Sequence, residues 1–175
     1  MIYPLLLLAL AFQRLGEVRL GNANLEKVKD RLVQPADASE KRWMILLHAS
    51  WFVACLAEYF FWGGLVGAPV FLAGIILLTL CQLVRHQSMA ALGDSWIHLP
   101  VAYHGQKIVK SGLYSWVKHP NYFVVAIEIA LVPILGKAFL TAAIFSLLNI
   151  VFLSRRIKME ESQIKKIKEK YEISH

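Results

Sequence analysis

Long apolar runs almost free of charge decide where this 175-residue chain can fold. Inside hydrocarbon no water bonds to the backbone, so such a run has to satisfy its own N–H and C=O groups, which a helix does. Crossing the apolar core takes roughly 20 mostly apolar residues, fewer where polar ends snorkel to the interface. Five segments approach that length, at about 2–18, 43–62, 69–91, 121–136 and 138–155. The fold predicted from them is all-α: a polytopic membrane bundle of about five transmembrane helices, one domain, with a cytoplasmic C-terminal helix. At 57% hydrophobic residues the chain carries more apolar surface than a soluble domain of its size buries.

Charge is confined to what lies between and after these runs. A mixed-charge loop covers Glu17 to Arg42, a polar stretch covers Gly93 to Pro120, and the tail reads SRRIKMEESQIKKIKEKYEISH. Placed on one side, these three regions together with Arg85 at the adjoining end of the third span hold 17 of the 19 Lys and Arg, all but Arg14 and Lys137. The positive-inside rule then puts the N-terminus outside and the C-terminus in the cytoplasm, in the inner (cytoplasmic) membrane. The net charge of +7 follows from that bias and from attraction to anionic lipid headgroups, so no nucleic-acid partner is inferred. The apolar run at Met1 to Phe12 lacks a basic start and a small-residue cleavage site, and reads as a retained span. Cys55 and Cys81 each sit inside an apolar run, where they fill the core. No metal site is inferred, because no HExxH or Cys/His cluster occurs and His98, His104 and His119 are dispersed.

Polar residues inside spans are costly and face cavities or partners. Gln82, Arg85, His86 and Met89 are spaced along the end of the third span, and Glu128 interrupts an otherwise apolar fourth span. Glu128 needs a proton or a partner, which Arg85 or His86 would supply. Asn149 and Arg156 lie seven apart on one face of the fifth span, and Arg156 and Glu160 four apart. Snorkelling, helix-packing hydrogen bonds and lipid-surface docking of the tail explain the same residues without chemistry. Between the spans, His119-Pro120 excludes helix at the residue before proline, so the fourth helix starts at or after Pro120. Its free N–H groups, beside a histidine and two tyrosines, make an anion-friendly and π-rich site. An interfacial loop anchored by Tyr114, Trp116 and Tyr122 accounts equally for the aromatics.

The stretch GLYSWVKHPNY at 112–122, then Glu128, then RIKMEE at 156–161, resembles the isoprenylcysteine carboxyl methyltransferase family of membrane enzymes. The likeness covers roughly residues 82–165, with Lys118 where the family often has Arg and Val124 where it often has Gly. It implies S-adenosyl-L-methionine as cofactor, a lipophilic methyl acceptor and an active site facing the cytoplasm. By the same resemblance Lys107, Ile108 and Val109 lie along the cofactor and Tyr114 closes over it. His119, Pro120, Asn121 and Tyr122 form the cofactor turn, and Glu160 holds the cofactor from the tail. Arg156 faces the acceptor, with Arg85, His86, Glu128 and Asn149 as further pocket candidates.

The expected reaction is O-methylation of a carboxylate or acidic hydroxyl on a prenylcysteine-like or alkylpyrone/polyketide lipid, the last suiting the bacterial branch that the short chain resembles. Three other readings stay open: a phospholipid amine N-methyltransferase, a nicotinamide-dependent lipid reductase, and a membrane scaffold without activity. The amine gains nothing from Arg156, and the reductase calls for arginines that the 93–120 loop lacks.

Overall fold

The structure, a computed structural model, describes residues 1–106 and 109–172. Five helices carry it: α1 (Ile2–Val28), α2 (Ala38–Trp62), α3 (Ala68–Leu92), α4 (Pro120–Leu135) and α5 (Phe139–Glu172). Among the described residues there is no strand, only an isolated antiparallel bridge between Leu32 and Tyr103. The chain is an all-α membrane helical bundle. Three stretches are long and apolar enough to cross a bilayer: Ser39–Trp62, Ala68–Ser95 and Phe139–Lys166.

The other two helices differ from simple spans for identifiable reasons. The α4 helix has 16 residues, which rise about 24 Å against a hydrocarbon core of about 30 Å. In α1 the apolar start gives way to Arg14, Glu17 and Arg19, yet the helix runs on to Val28, well past the boundary near residue 18 that hydropathy suggests. It continues because Arg14 and Glu17 find partners inside the bundle. Arg14, which charge counting leaves apart from the polar side, is thus part of the interior.

Helix ends follow local chemistry. Asp37 caps α2 by accepting from the Ser39 N–H at 2.7 Å. Pro120 opens α4 as a first-turn proline, with His119 outside the helix before it at φ −129° and ψ 65°. At the far end, the Glu58 carboxylate of α2 accepts from the backbone N–H groups of Leu140 and Thr141 at 2.9 and 2.8 Å, bonding the free donors at the start of α5. The α4–α5 hairpin turns through Gly136 and Lys137, where Lys137 takes φ 54°. Gly136 is required by proximity: a Cβ there would run into the Tyr3 ring, itself fully buried.

The apolar core lies toward this hairpin end, where Tyr3, Leu7, Trp51, Cys55, Ile129 and Leu135 pack together. Toward the opposite, polar end the interior becomes hydrophilic. Glu128 of α4 receives hydrogen bonds from Arg14 of α1 and from Gln82 and Arg85 of α3, while Glu17 pairs with Arg14 at 2.7 Å and Arg85 at 3.2 Å. Two carboxylates thus answer two guanidiniums, which is the condition under which charges tolerate burial. Arg85 is therefore the sequence-predicted partner that Glu128 uses. His86, one position on and about 100° round the helix, is exposed.

Candidate functional site

Above that charged layer a cavity of about 370 Å³ opens among α1, α2, α4, α5 and the 95–122 connection. Pockets for cofactors and drug-sized ligands start at about 300 Å³, so the space is large enough for one. Its walls differ in character. Leu15, Val18, Ile45 and Phe52 give apolar lining from α1 and α2, beside Arg14, Glu17 and His48 of the same helices, while Tyr114, His119, Asn121, Tyr122, Arg156 and Glu160 make a polar wall.

The polar wall assembles where α4 begins against the middle of α5. His119 and Tyr122 stack, with ring centroids 5.2 Å apart and planes 13° from parallel. The Tyr122 hydroxyl donates to Glu160 Oε2 at 2.8 Å, and His119 Nδ1 lies 3.8 Å from the same oxygen. Proline between His119 and Asn121 starts the helix there and holds His119 outside it, so residues 119 and 122 meet across one turn. Asn121 Oδ1 is buried without a partner. Tyr114 reaches the cavity from a short helical turn at Gly112–Ser115, and Gly112 takes φ 60°, which only glycine adopts freely. Burial pushes the Tyr114 hydroxyl up to about 12, so it remains a neutral donor at physiological pH.

Arg156 lines the same cavity from α5. It is 7% exposed, and its guanidinium donates to Met44 Sδ at 3.4 Å and to the His98 carbonyl. It lies over the rings of Tyr122 and Phe152, at 5.4 and 5.7 Å from their centroids. Its Nε is buried without a partner, and among the described residues it pairs with no carboxylate. Asn149, 1% exposed and two turns away on the same face of α5, also lines the cavity, with Oδ1 unpartnered.

Of the residues singled out in the sequence, Tyr114, His119, Pro120, Asn121, Tyr122, Asn149, Arg156 and Glu160 come together on this cavity, and Arg85 forms part of its floor. Glu128 sits behind Arg85, buried in the charged layer. His86 and Val109 do not line it. Lys107 and Ile108 lie outside the described residues.

Sequence reasoning passed over Met44 and His48 of α2 and the contribution of His98. Positions 44, 48, 51 and 55 follow one helical face whose other members, Met44, Trp51 and Cys55, are buried, so His48 was detectable as a polar residue on an inward face. His98 stands against Gly21 of α1, where a Cβ would collide with its ring. Both its ring nitrogens are buried without partners. Burial first, then Arg156 and Lys41, brings its pKa down to about 4, so the ring is neutral at physiological pH. Among the described residues no three His, Cys, Asp or Glu side chains are grouped to hold a metal ion.

Comparison with known proteins adds ancestry to this geometry. Residues 74–166, which contain α4, most of α3 and the membrane part of α5, match the isoprenylcysteine carboxyl methyltransferase (ICMT) family. "Uncharacterized protein YpbQ" of Bacillus subtilis (strain 168) is 33% identical over 171 residues, covering 93% of this chain and 96% of YpbQ. No solved structure matches the chain. The matched segment and the near full-length relative together define its membership: the chain belongs to the isoprenylcysteine carboxyl methyltransferase family.

Proposed function

We propose that this protein is an S-adenosyl-L-methionine-dependent O-methyltransferase acting on a lipophilic acceptor. Family membership suggests a membrane methyltransferase, and one observation carries the finer reading. Among the described residues Arg156 is a buried guanidinium without a carboxylate partner, in a cavity lined by both polar aromatic and apolar side chains. A buried cation left unpaired is costly. An anionic or anion-forming acceptor in the cavity supplies the missing charge.

The polar wall fits the cofactor. The Glu160 carboxylate and the orphaned Asn121 Oδ1 are acceptors for its hydroxyl and amino hydrogens, and the faces of Tyr122 and Tyr114 suit a cation. When bound, S-adenosyl-L-methionine supplies a methyl group activated by a sulfonium. The protein's own contribution is placement. The stacked His119–Tyr122 pair and the Tyr122–Glu160 hydrogen bond hold that wall rigid, and Tyr114 limits water from the loop side. Arg156, tied to Met44 and His98, fixes the acceptor oxygen between the walls. Orientation of this kind supplies up to about 7–11 kcal/mol of a transfer barrier. The acceptor's charge is neutralised as its oxygen is methylated, so Arg156 serves best by positioning, with further polarity shared by Asn149. The apolar wall takes the lipid tail. The Arg14–Glu17–Arg85–Glu128 layer, neutral and internally paired, supports the floor and leaves Arg156 as the acceptor's cation.

In the membrane, the polar end faces the cytoplasm, where the cofactor is made, and Met1 lies outside. A phospholipid amine acceptor finds nothing here to match a buried guanidinium.

Binding of S-adenosylhomocysteine to detergent-purified protein, followed by calorimetry, tests the assignment. The expected result is saturable binding that Glu160→Ala and Tyr122→Ala each weaken at least about tenfold, roughly one charge-assisted hydrogen bond. Folded protein that binds no S-adenosylhomocysteine, with or without lipid, rules the assignment out.

A further inference from the structure

The short turn at Gly112–Ser115 joins an inward aromatic to an outward one. Tyr114 lines the cavity, and its hydroxyl meets Ser88 on the inner end of α3, against which the turn packs. Trp116, two residues on, is 90% exposed. A turn with three residues per revolution sends positions two apart to different sides. The backbone N–H groups of Tyr114, Trp116 and Val117 bond within the segment itself, to the carbonyls of Ser111 and Leu113. The neighbouring helices set its depth. In α5 no charge occurs from Phe139 to Ser154, and the first charged turn begins at Arg155. Tyr122, in the first turn of α4, bonds to Glu160 and lies beneath the Arg156 guanidinium at 5.4 Å, so the start of α4 is level with that charged turn. Trp116 precedes the start of α4 by four residues and therefore sits where hydrocarbon gives way to headgroups, the depth tryptophan prefers. Val117 and Phe123, on either side of Pro120, are exposed with it, as are Lys110 and Lys118. Exposed aromatic and apolar side chains with lysines beside them suit an interface of anionic phospholipid.

We propose that residues 112–118 form a strap inserted in the phospholipid interface, with Trp116 as its anchor, and that insertion holds Tyr114 over the cofactor. The second half rests on the methyltransferase reading and adds regulation by the bilayer to it. Gly112 at φ 60° bounds the strap at one end and the fixed start of α4 at Pro120 bounds it at the other. Between them the Ser115 hydroxyl donates to the Gly112 carbonyl at 2.7 Å and closes the turn, so Tyr114 and Trp116 move together. If Trp116 leaves the interface for the cytoplasm, the turn lifts from α3 and Tyr114 leaves the cavity with it. Trp116 is thus a positioning residue, acting on the site through Tyr114. The coupling runs both ways: a cofactor held beneath Tyr114 keeps the turn down and favours insertion, by the same factor with which insertion favours the cofactor.

Nanodiscs of phosphatidylcholine and phosphatidylglycerol, with acyl chains brominated close to the glycerol, read the insertion directly, because bromine quenches tryptophan fluorescence only at contact. Trp43, Trp51, Trp62 and Trp96 fluoresce as well, so the Trp116 component is the difference between wild type and Trp116→Tyr. Both that variant and Trp116→Ser change a side chain outside the protein's own packing, so both should fold. The Trp116 component should be quenched, and more strongly once S-adenosylhomocysteine saturates the protein. Trp116→Ser should bind S-adenosylhomocysteine about tenfold more weakly in the same discs, a usual size for coupling between two sites. Trp116→Tyr keeps an interfacial aromatic and should stay within about twofold of wild type. A Trp116 component that bromine leaves unquenched overturns the anchor. Quenching indifferent to bound S-adenosylhomocysteine, or unchanged affinity in Trp116→Ser, overturns the coupling. Wild-type protein that binds no S-adenosylhomocysteine in these discs overturns the methyltransferase reading and the coupling with it, while the quenching still decides the anchor.

Discussion

At the scale of single residues, two positions show how closely the interior is filled. Gly136 has an ordinary backbone conformation, so its requirement is space: any Cβ meets the buried Tyr3 ring. Gly136→Ala should cost about 1–3 kcal/mol, the usual range for overpacking, read as a lower melting temperature in detergent. Lys137→Gly next to it should do the reverse, since φ 54° is strained for a lysine and free for glycine. His98 gives a pH dependence. Its folded pKa of about 4 lies below the ordinary 6.5, so the folded state binds fewer protons than the unfolded state. Its contribution is therefore fully present above about 6.5, falls as pH drops toward about 4, and levels off below. A thermal-denaturation series across that window should show melting temperature declining with pH, with a shallower decline in His98→Gln. A slope identical in the variant would mean that other groups set it. Pattern in the chain reveals residues like Glu128, because a lone carboxylate in an apolar run stands out. It does not reveal His98, whose role comes from packing on Gly21 and from a carbonyl bonded to Arg156, relations formed only across 77 and 58 positions of chain.

At the scale of elements, the charged layer is what ties α1 to α3 and α4. Glu128→Ala leaves Arg14 and Arg85 sharing the single carboxylate of Glu17, a buried imbalance expected to cost about 3–5 kcal/mol. Unfolding in a denaturing-detergent titration should register that loss, and Arg85→Met combined with Glu128→Leu should recover part of it by removing charges of both signs. A double variant no better than Glu128→Ala would show that the layer acts through something other than charge balance. Helix existence and the start of α4 at Pro120 were legible, because apolar length and proline sterics act locally. Two boundaries were not. Hydropathy ends α1 near residue 18 and divides α5 at residue 155, since charge marks the edge of hydrocarbon and not the edge of a helix. In the structure α5 is continuous from Phe139 to Glu172, and that continuity sets Asn149, Arg156, Glu160 and Gln163 in one register.

At the scale of the whole molecule, the site exists only where distant segments converge. Gln163 of α5 donates to the Pro100 carbonyl and accepts from the Ala102 N–H at 2.7 and 2.9 Å, fastening the connection that carries His98 and hence the bond to Arg156. The proposed cofactor wall in turn needs α4 against α5. A ligand held by all of these must stabilise the folded bundle as a unit, because it binds the folded state and not the unfolded one. At 100 times its dissociation constant, S-adenosylhomocysteine should add about 2.7 kcal/mol to stability, visible as a rise in melting temperature that grows with ligand concentration. Glu160→Ala should cut the rise at the same ligand concentration to about half or less, by loss of a direct contact. Gln163→Ala should start from a lower melting temperature yet keep most of the rise, since its effect is on assembly and is partly restored when ligand binds. Equal loss of the ligand-dependent rise in both variants would argue that Glu160, too, acts by holding α5 in place and not by touching the cofactor.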